Sequence, residues 1–257
     1  MNTADFQGRH YLITGAAGGI GSAVARELAA AGANLSLVDL QIEPIEALIA
    51  ELAPLPGSAI ALAADVSQAD QVEAYVKAAT QRYGVIDGFL NNAGIEGPSH
   101  NIVDYPVEDF ERVLDVNVKG VWLGMKYVIP AMNETGGSII ITSSFAGVRG
   151  APKLSGYITS KHAVVGIMRT AALELAGTNI RVNTVHPGMV DTDMAKRIAV
   201  NSGLGEEAYS ELVCSTNPLG RYAQPEDISG MLCFLLSDAA SYCNGSEYFV
   251  DGGIRAG

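Results

Sequence analysis

Tyr157 and Lys161 are the residues whose types and spacing most clearly suggest chemistry. They are four positions apart in a segment that predicts a helix, residues 156–176, so their side chains share one helix face. The pKa of a free tyrosine is about 10, and a nearby ammonium lowers it by favouring the phenolate. Tyr157 is therefore predicted to take a proton from an alcohol or to give one to a carbonyl. Ser144 follows a predicted strand at 137–142, and its hydroxyl can hydrogen-bond the same oxygen.

A second group of residues is the glycine-rich turn that precedes a predicted helix at 19–31. Gly15 permits a sharp turn, Gly19 removes a Cβ where a phosphate must approach the backbone, and Gly21 lets the helix pack closely on a sheet. The N-terminus of the helix also offers free N–H groups and the positive end of a dipole. The turn therefore predicts a site for the pyrophosphate of a dinucleotide.

Asp39 selects among the dinucleotides. It lies roughly 20 residues beyond the turn, where a carboxylate accepts hydrogen bonds from the ribose hydroxyls of the adenosine. The same negative charge repels the 2′-phosphate of NADP. The turn carries Ala16 and Ala17, and Asp39 is followed by Leu40 and Gln41, so no basic residue is present there to bind that phosphate. The predicted cofactor is NAD.

Alternating strand and helix patterns must bring these residues together. Short apolar runs predict strands at 10–14, 34–38, 58–63, 85–90, 137–142, 180–185 and 247–250. Helical spacing of apolar residues predicts helices at 19–31, 43–52, 68–83, 107–132, 156–176 and 225–237. This alternation favours an α/β fold, a Rossmann-like, doubly wound parallel seven-stranded sheet with helices on both faces.

The predicted elements follow one another without a linker rich in proline or serine. Residues 1–257 are therefore expected to form a single NAD-binding and catalytic domain. The exception to the regular pattern is 191–217, which is polar and contains Gly203 and Gly205. This segment is predicted to be a helical insertion that forms a lid over the substrate.

The composition excludes several classes of partner. The 257 residues include 16 Lys+Arg against 28 Asp+Glu, a net charge of −12, whereas nucleic acids and anionic membranes bind basic surfaces. The N-terminus lacks the pattern of a signal peptide, and no apolar run is long enough for a membrane-spanning helix. The spacing of Cys214, Cys233 and Cys243 fits no metal site. We expect a cytoplasmic protein with a small-molecule substrate and no bound metal.

Taken together, these motifs resemble the short-chain dehydrogenase/reductase superfamily over residues 8–253. The resemblance implies a catalytic tetrad, which would be Asn117, Ser144, Tyr157 and Lys161. In it, Asn117 would hold a water that links Lys161 to solvent, and Lys161 would also hold a ribose hydroxyl. The resemblance further implies the cofactor contacts Gly15, Gly19, Ile20, Gly21, Asp39, Asp65, Val66, Asn92, Ala93, Gly94, Tyr157, Lys161, Pro187, Gly188, Val190 and Thr192.

Within that set, the resemblance assigns separate tasks. Asp65 and Val66 would contact the adenine, and the segment 91–94 would support the sheet beside the cofactor. Pro187-Gly188, with Val190 and Thr192, would contact the nicotinamide amide. The resemblance also implies a homotetramer.

The substrate is predicted from the residues that would surround the reacting carbon. Most are apolar, which favours a hydrophobic secondary alcohol or ketone, and the segments 91–97 and 161–166 resemble members that act on cyclic ketones, diols or dihydrodiols. Glu96 and Arg149 follow strands and are candidates for the edge of the pocket. Two alternatives are a 3-oxoacyl-type reductase of the same family and a non-catalytic NAD-sensing module. The predicted lining is Ile95, Ala146, Val148, Leu154, Met189, Val190 and Met194.

Overall fold

The strands form one parallel sheet in a computed structural model that describes residues 5–132 and 136–256. Within these residues the sheet has seven strands in the order β3-β2-β1-β4-β5-β6-β7, which confirms the predicted fold class. Because the order reverses between β1 and β4, a crevice opens above the C-terminal ends of these two strands. The strands are β1 His10–Thr14, β2 Asn34–Asp39, β3 Ser58–Ala63, β4 Gly88–Asn91, β5 Gly137–Thr142, β6 Ile180–Pro187 and β7 Glu247–Val250.

Helices cover both faces of the sheet. They are α1 Gly19–Ala30, α2 Ile42–Leu52, α3 Ala69–Tyr83, α4 Val107–Leu114, α5 Gly120–Val128, α6 Ser155–Glu174, α7 Asp193–Asn201, α8 Glu206–Thr216 and α9 Pro225–Leu236. Apolar residues of α1, α2 and α9 share one core cluster, and those of α3, α5 and α6 share the other. The sheet is therefore the middle layer of three.

The two clusters arise from the period of two along each strand. Ile13 belongs to the cluster beneath α1, whereas its neighbour Leu12 belongs to the opposite one. Both side chains are fully buried, as are Ile139 and Ile140 on β5, which again divide between the faces. Complete burial of such a side chain stabilises the fold by about 1.5–3 kcal/mol. The two-sided core explains why the strands are nearly continuous apolar runs.

Two predicted elements differ from the structure. The helix predicted at 107–132 is interrupted by a π-helical segment, Asp115–Lys119, and ends in a 3₁₀ turn at Ile129–Ala131. The strand predicted at 85–90 begins only at Gly88, because Ile86 pairs with the residues that follow α5 and not with β1. Both differences involve contacts with segments distant in the sequence, and a local sequence pattern contains no information about such contacts.

The polar segment at 191–217 forms two helices. Thr192 caps the first turn of α7 by accepting a hydrogen bond from the N–H of Ala195. Gly203 and Gly205 separate α7 from α8, and both have positive φ angles, +81° and +82°, which only glycine adopts readily. The segment is therefore a compact helical hairpin.

Two further features concern the whole described chain. Among its helices, none combines the length and the apolar character that crossing a bilayer requires. Cys214, Cys233 and Cys243 are all free thiols.

Candidate active site

A cavity of about 1000 Å³ lies at the C-terminal ends of β1, β4, β5 and β6. It extends from the glycine turn to the α7–α8 hairpin, so both groups of predicted residues face the same space. The predicted catalytic and cofactor residues that line it are Gly15, Gly19, Ile20, Asp39, Asp65, Val66, Asn92, Ala93, Gly94, Ser144, Tyr157, Lys161, Pro187, Gly188, Val190 and Thr192. Gly21 and Asn117 are not part of the lining and lie behind it.

The glycine turn is built from close backbone contacts. Gly15 has a φ of +63°, and a Cβ at Gly21 would overlap the carbonyl oxygen of Gly15. A Cβ at Gly19 would lie 2.7 Å from the methyl group of Thr192. Gly18, the N-cap residue before α1, has no side chain to cap the helix. The N–H groups of the first turn are therefore left for a ligand. The turn thus has the shape and the donors that a pyrophosphate requires.

Asp39 ends β2 at the rim of the cavity and also holds the glycine turn. Its carboxylate accepts hydrogen bonds from the N–H of Ala17 at 3.0 Å and from the N–H of Leu40 at 2.8 Å. The sequence predicted the carboxylate as a ribose contact but did not predict this link to the turn. The carboxylate is therefore fixed in position and still has lone pairs that can accept hydrogen bonds from ribose hydroxyls.

The segment after β4 is tied to the same turn. The hydroxyl of Thr14 accepts hydrogen bonds from the N–H groups of Asn92 and Ala93, at 3.0 and 3.2 Å. In return, the amide of Asn92 donates to the carbonyl oxygens of Thr14 and Gly15, both at 3.2 Å. The end of β4 and the glycine turn therefore form one hydrogen-bonded unit.

Asn117 lies in the π-helical segment and is fully buried. Its Oδ1 accepts from the N–H of Ile95 at 2.8 Å, while its Nδ2 donates to the carbonyl of Ile95 at 2.8 Å and to Ser160 Oγ at 3.0 Å. Both donors of the side chain are thus used by the protein, and the water link to Lys161 stays a prediction. Segments of π-helix occur frequently at functional sites.

Ser144 is held from two sides. Its Oγ accepts a hydrogen bond from the N–H of Ala146 at 3.1 Å, which caps a short 3₁₀ turn. Its carbonyl oxygen accepts from Nδ1 of His186 at 2.8 Å, and the imidazole is completely buried. The contact between His186 and Ser144 could not be predicted from the sequence, because β6 and the end of β5 become neighbours only in the sheet. The hydroxyl is therefore fixed at the cavity wall.

Lys161 is a buried cation beside Tyr157. Its Nζ donates to the carbonyl of Thr142 at 2.9 Å and lies 5.5 Å from the centre of the Tyr157 ring. Burial lowers the pKa of Lys161 to about 8, since the charged form loses its hydration. Lys161 is therefore charged at neutral pH, but it binds its proton less tightly than an exposed lysine does.

The pKa of Tyr157 differs from the expectation of a lowered value. Burial raises the pKa of Tyr157 to about 12; a hydrogen bond with Ser144 lowers it, and the negative charge of Glu96 raises it further. Burial is the largest of these influences. As it stands, the site holds a protonated phenol, which can give a proton to a carbonyl oxygen.

The far end of the cavity is mostly apolar. Six of the seven residues predicted there line it: Ile95, Ala146, Leu154, Met189, Val190 and Met194. Val148 was also predicted to line the cavity, but it does not. The 3₁₀ turn ends before it, and its side chain is 36% exposed to solvent. Arg149 does line the cavity. Glu96 does not, but it forms an ion pair with Arg197 of α7, which the sequence did not predict.

Comparison with known proteins identifies relatives along the whole chain. A family profile described as enoyl-(acyl carrier protein) reductase matches residues 15–255. Levodione reductase of Leifsonia aquatica is 41% identical, covering 99% of this chain and 97% of its own. Cyclohexanol dehydrogenase of Acinetobacter sp. strain SE19 is 37% identical, covering 96% and 95%. The 3-oxoacyl-(acyl-carrier-protein) reductase of Thermotoga maritima is 38% identical, covering 96% and 98%.

Solved structures show the same relationship. The crystal structure of levodione reductase superimposes with a TM-score of 0.92 over 98% of this chain and 99% of that one. That of NAD⁺-bound xylitol dehydrogenase, 33% identical, gives 0.91 over 96% and 99%. Identity at this level over nearly complete chains, together with the cavity that joins a glycine turn to Ser144, Tyr157 and Lys161, shows that the chain belongs to the short-chain dehydrogenase/reductase superfamily of oxidoreductases.

Proposed function

We propose that this chain is an NAD-dependent oxidoreductase that interconverts a secondary alcohol and a ketone on a hydrophobic or cyclic substrate. The observation that carries the proposal is that Ser144, Tyr157 and Lys161 line one cavity with the glycine turn and Asp39. A proton donor, a hydroxyl for the substrate oxygen and a dinucleotide site therefore face the same space.

The choice of NAD rests on Asp39. Its carboxylate is held at the rim by the N–H groups of Ala17 and Leu40, where it accepts from ribose hydroxyls and repels a 2′-phosphate. The uncapped start of α1 would hold the pyrophosphate, and Lys161 would hold a ribose hydroxyl. The similarity to a dehydrogenase solved with NAD⁺ supports this choice. When bound, the nicotinamide supplies or accepts the hydride.

Proton transfer falls to the chain's own residues. In ketone reduction, Ser144 donates a hydrogen bond to the substrate oxygen, and Tyr157 gives that oxygen its proton. In alcohol oxidation Tyr157 takes the proton instead, so its pKa must fall from about 12. The ammonium of Lys161 and the positive charge of an oxidised nicotinamide both act in that direction.

The substrate class follows from the apolar end of the cavity. Ile95, Leu154, Met189 and Met194 offer surface to a hydrocarbon ring, and two relatives are a levodione reductase and a cyclohexanol dehydrogenase. We propose that the hairpin of α7 and α8 acts as the lid over this end.

A second candidate is the reduction of 3-oxoacyl groups, which the Thermotoga maritima relative favours. Asp39 counts against it because that activity usually accompanies NADP. The basic side chains of the hairpin are also already paired, Lys196 with Asp193 and Arg197 with Glu96. A non-catalytic NAD sensor is a weaker alternative, because such a protein does not need Tyr157 and Lys161 at the cofactor.

A substrate panel followed by NADH absorbance tests the proposal. Cyclic, aryl-alkyl and hydroxysteroid alcohols and ketones would be assayed with NAD(H) and with NADP(H), beside a 3-oxoacyl thioester. We expect turnover of cyclic secondary alcohols or ketones with NAD(H). Turnover of the thioester alone, with NADPH, would favour the second candidate, and no turnover with any compound would favour the sensor.

The quaternary structure and location are also proposed from the family. We propose a homotetramer in the cytoplasm, in which α4, α5, α6 and the C-terminal segment 250–253 form contacts between copies. Light scattering coupled to size-exclusion chromatography measures the mass in solution, and a monomer would contradict the assignment.

A further inference from the structure

The ion pair between Glu96 and Arg197 joins two distant segments at the wall of the cavity. Glu96 lies in the loop after β4, and Arg197 lies 101 residues later in α7. Arg197 donates from Nε to Oε1 at 2.5 Å and from Nη2 to Oε2 at 3.2 Å, a bidentate arrangement. The Glu96 side chain is only 10% exposed, whereas that of Arg197 is 57% exposed. The carboxylate is therefore the fixed member of the pair.

The backbone on both sides of Glu96 explains why it is fixed. The preceding residue, Ile95, has its N–H and its carbonyl both bonded to the amide of Asn117. The following residue, Gly97, has a φ of +70°, and a Cβ there would lie 2.6 Å from the hydroxyl of Tyr105. The position of the carboxylate thus depends on the same asparagine that lies behind the reaction centre.

Arg197 keeps donors that the protein does not use. A guanidinium carries five N–H donors, and two of those of Arg197 are bonded to Glu96. Arg197 lines the cavity beside the apolar side chains of Met194 and Ile198 and the acidic side chain of Asp193. A ligand at this position therefore meets hydrocarbon together with the hydrogen-bond donors of Arg197.

The charge at this place favours a neutral acceptor. Glu96 neutralises Arg197, so the pair offers donors without net positive charge. Acidic residues also outnumber basic residues in the cavity lining, six to four. A carboxylate on the substrate would be repelled, whereas a carbonyl or hydroxyl oxygen would not.

The pair is close enough to the reaction centre to affect it. The negative charge of Glu96 is one of the influences that raise the pKa of Tyr157. Arg149, another arginine of the lining, is less suitable as a binding group. It lies 5.9 Å from the Phe145 ring and is exposed, without a carboxylate to hold it in one place.

We propose that Arg197, positioned by Glu96, donates a hydrogen bond to a second oxygen of the substrate, so that the enzyme selects dioxygenated apolar rings. The substrate class is then a cyclic diketone, hydroxyketone or diol. This inference rests on the proposed function and specifies its substrate. Arg197 is a substrate-binding residue in this scheme, and Glu96 is a positioning residue.

The test compares cyclohexane-1,4-dione with cyclohexanone, which differ by the second oxygen only. We expect the wild-type protein to have a higher kcat/KM for the dione with NADH. Arg197→Met should lower the ratio of the two kcat/KM values by about ten- to a hundredfold, the loss of one hydrogen bond to a charged donor, mainly through the KM of the dione. Glu96→Gln should lower the ratio by a smaller factor, because the amide still accepts one bond from Arg197.

Lys196→Met is the matched control, since Lys196 is on the same helix, pairs with Asp193 and does not line the cavity. It should leave the ratio as in the wild-type protein, and thermal unfolding should show that all variants fold. An unchanged ratio in Arg197→Met, or equal losses with both ketones, would overturn the inference while leaving the proposed function intact. No turnover of either ketone by the wild-type protein would also overturn the inference, and the substrate panel described above would then decide the proposed function separately. A third ketone, 4-oxocyclohexanecarboxylate, should be the poorest of the three, and a preference for it would overturn the assignment of a neutral oxygen.

Discussion

The two ends of the cavity are built by different means. At the cofactor end, Gly15 and Gly21 approach each other backbone to backbone, and Asp39 holds the turn through the N–H of Ala17. At the substrate end, the hairpin is joined to the loop after β4 by side chains, Glu96 and Arg197. At the first end, backbone packing in a short glycine turn sets the shape and the side chain of Asp39 holds it. The second end depends on two side chains from segments far apart in the chain.

This difference explains which end tolerates change. A Cβ added at Gly21 has no space, because the atom it meets is a backbone carbonyl that cannot rotate away. In the hairpin, by contrast, Cβ atoms at Gly203 and Gly205 would meet no neighbouring atom within 4 Å, so that only their positive φ angles restrict substitution. We expect the cofactor end to be rigid and the substrate end to be adjustable.

Tyr157→Phe should have the largest effect, because Tyr157 lies where the two ends meet. Removing the phenol hydroxyl removes the proton donor, so kcat should fall by roughly 10²- to 10⁴-fold. NADH should still bind, as measured by the change in its fluorescence. Tyr83→Phe, which removes a hydroxyl bonded to Ser58 far from the cavity, is the control and should keep the activity. Near-normal turnover of Tyr157→Phe would remove Tyr157 from proton transfer.

Lys161→Met, a substitution beside Tyr157, should change stability and activity in opposite directions. The pKa of Lys161 falls from 10.5 to about 8 on folding, a difference of about 3 kcal/mol. Below pH 8 the lysine is charged in both states and the full cost of burying it is present, so the variant should be more stable by up to this amount while its activity is lost. Between pH 8 and 10.5 the unfolded wild-type chain holds a proton that the folded chain has released, so wild-type stability rises with pH and the gap narrows.

Urea unfolding at a series of pH values measures this gap. Lys77→Met is the control, because it makes the same substitution at an exposed position on α3. A variant less stable than the wild-type protein at neutral pH would show that the hydrogen bond from Lys161 to Thr142 outweighs the cost of burial.

Asp39→Ala combined with Leu40→Arg tests the cofactor end alone. The change removes an acceptor for the ribose hydroxyls and adds a cation for a 2′-phosphate, so the NAD/NADP preference should shift by about tenfold or more. Asp39→Asn is the matched variant, because it keeps an acceptor for the N–H of Ala17 but loses the charge. If the ratio of kcat/KM with the two cofactors does not move, Asp39 does not contact the ribose.

Shortening the segment 203–207 should have the smallest effect and tests the substrate end alone. It joins α7 to α8 and does not line the cofactor part of the cavity. We expect a change of several-fold in the KM of the ketone and a smaller change in NADH affinity. Equal changes in both would contradict the assignment of the hairpin as a lid.

The sequence predicted the sheet, the glycine turn and the pair Tyr157 and Lys161 because these depend on local patterns. The apolar runs along the strands reflect burial on both faces of the sheet. The glycine turn is one short segment, and Tyr157 and Lys161 are only four residues apart. What it missed involves pairs from distant segments. His186 reaches Ser144 only because β5 and β6 are neighbours, and Ile86 pairs with Met132 and not with β1. The π-helical segment around Asn117 has the same cause, since its amide is bonded to Ile95.

By itself, the sequence determined the three-layer fold, the glycine turn and the residues with reactive groups, because periodicity and short spacings report burial and local geometry. Only the tertiary structure decided how those groups behave. Burial, which the sequence does not display for a single side chain, raises the pKa of Tyr157 to about 12 and lowers the pKa of Lys161 to about 8. The contact of Glu96 with Arg197, across 101 residues, likewise exists only once the sheet and the hairpin have brought them together.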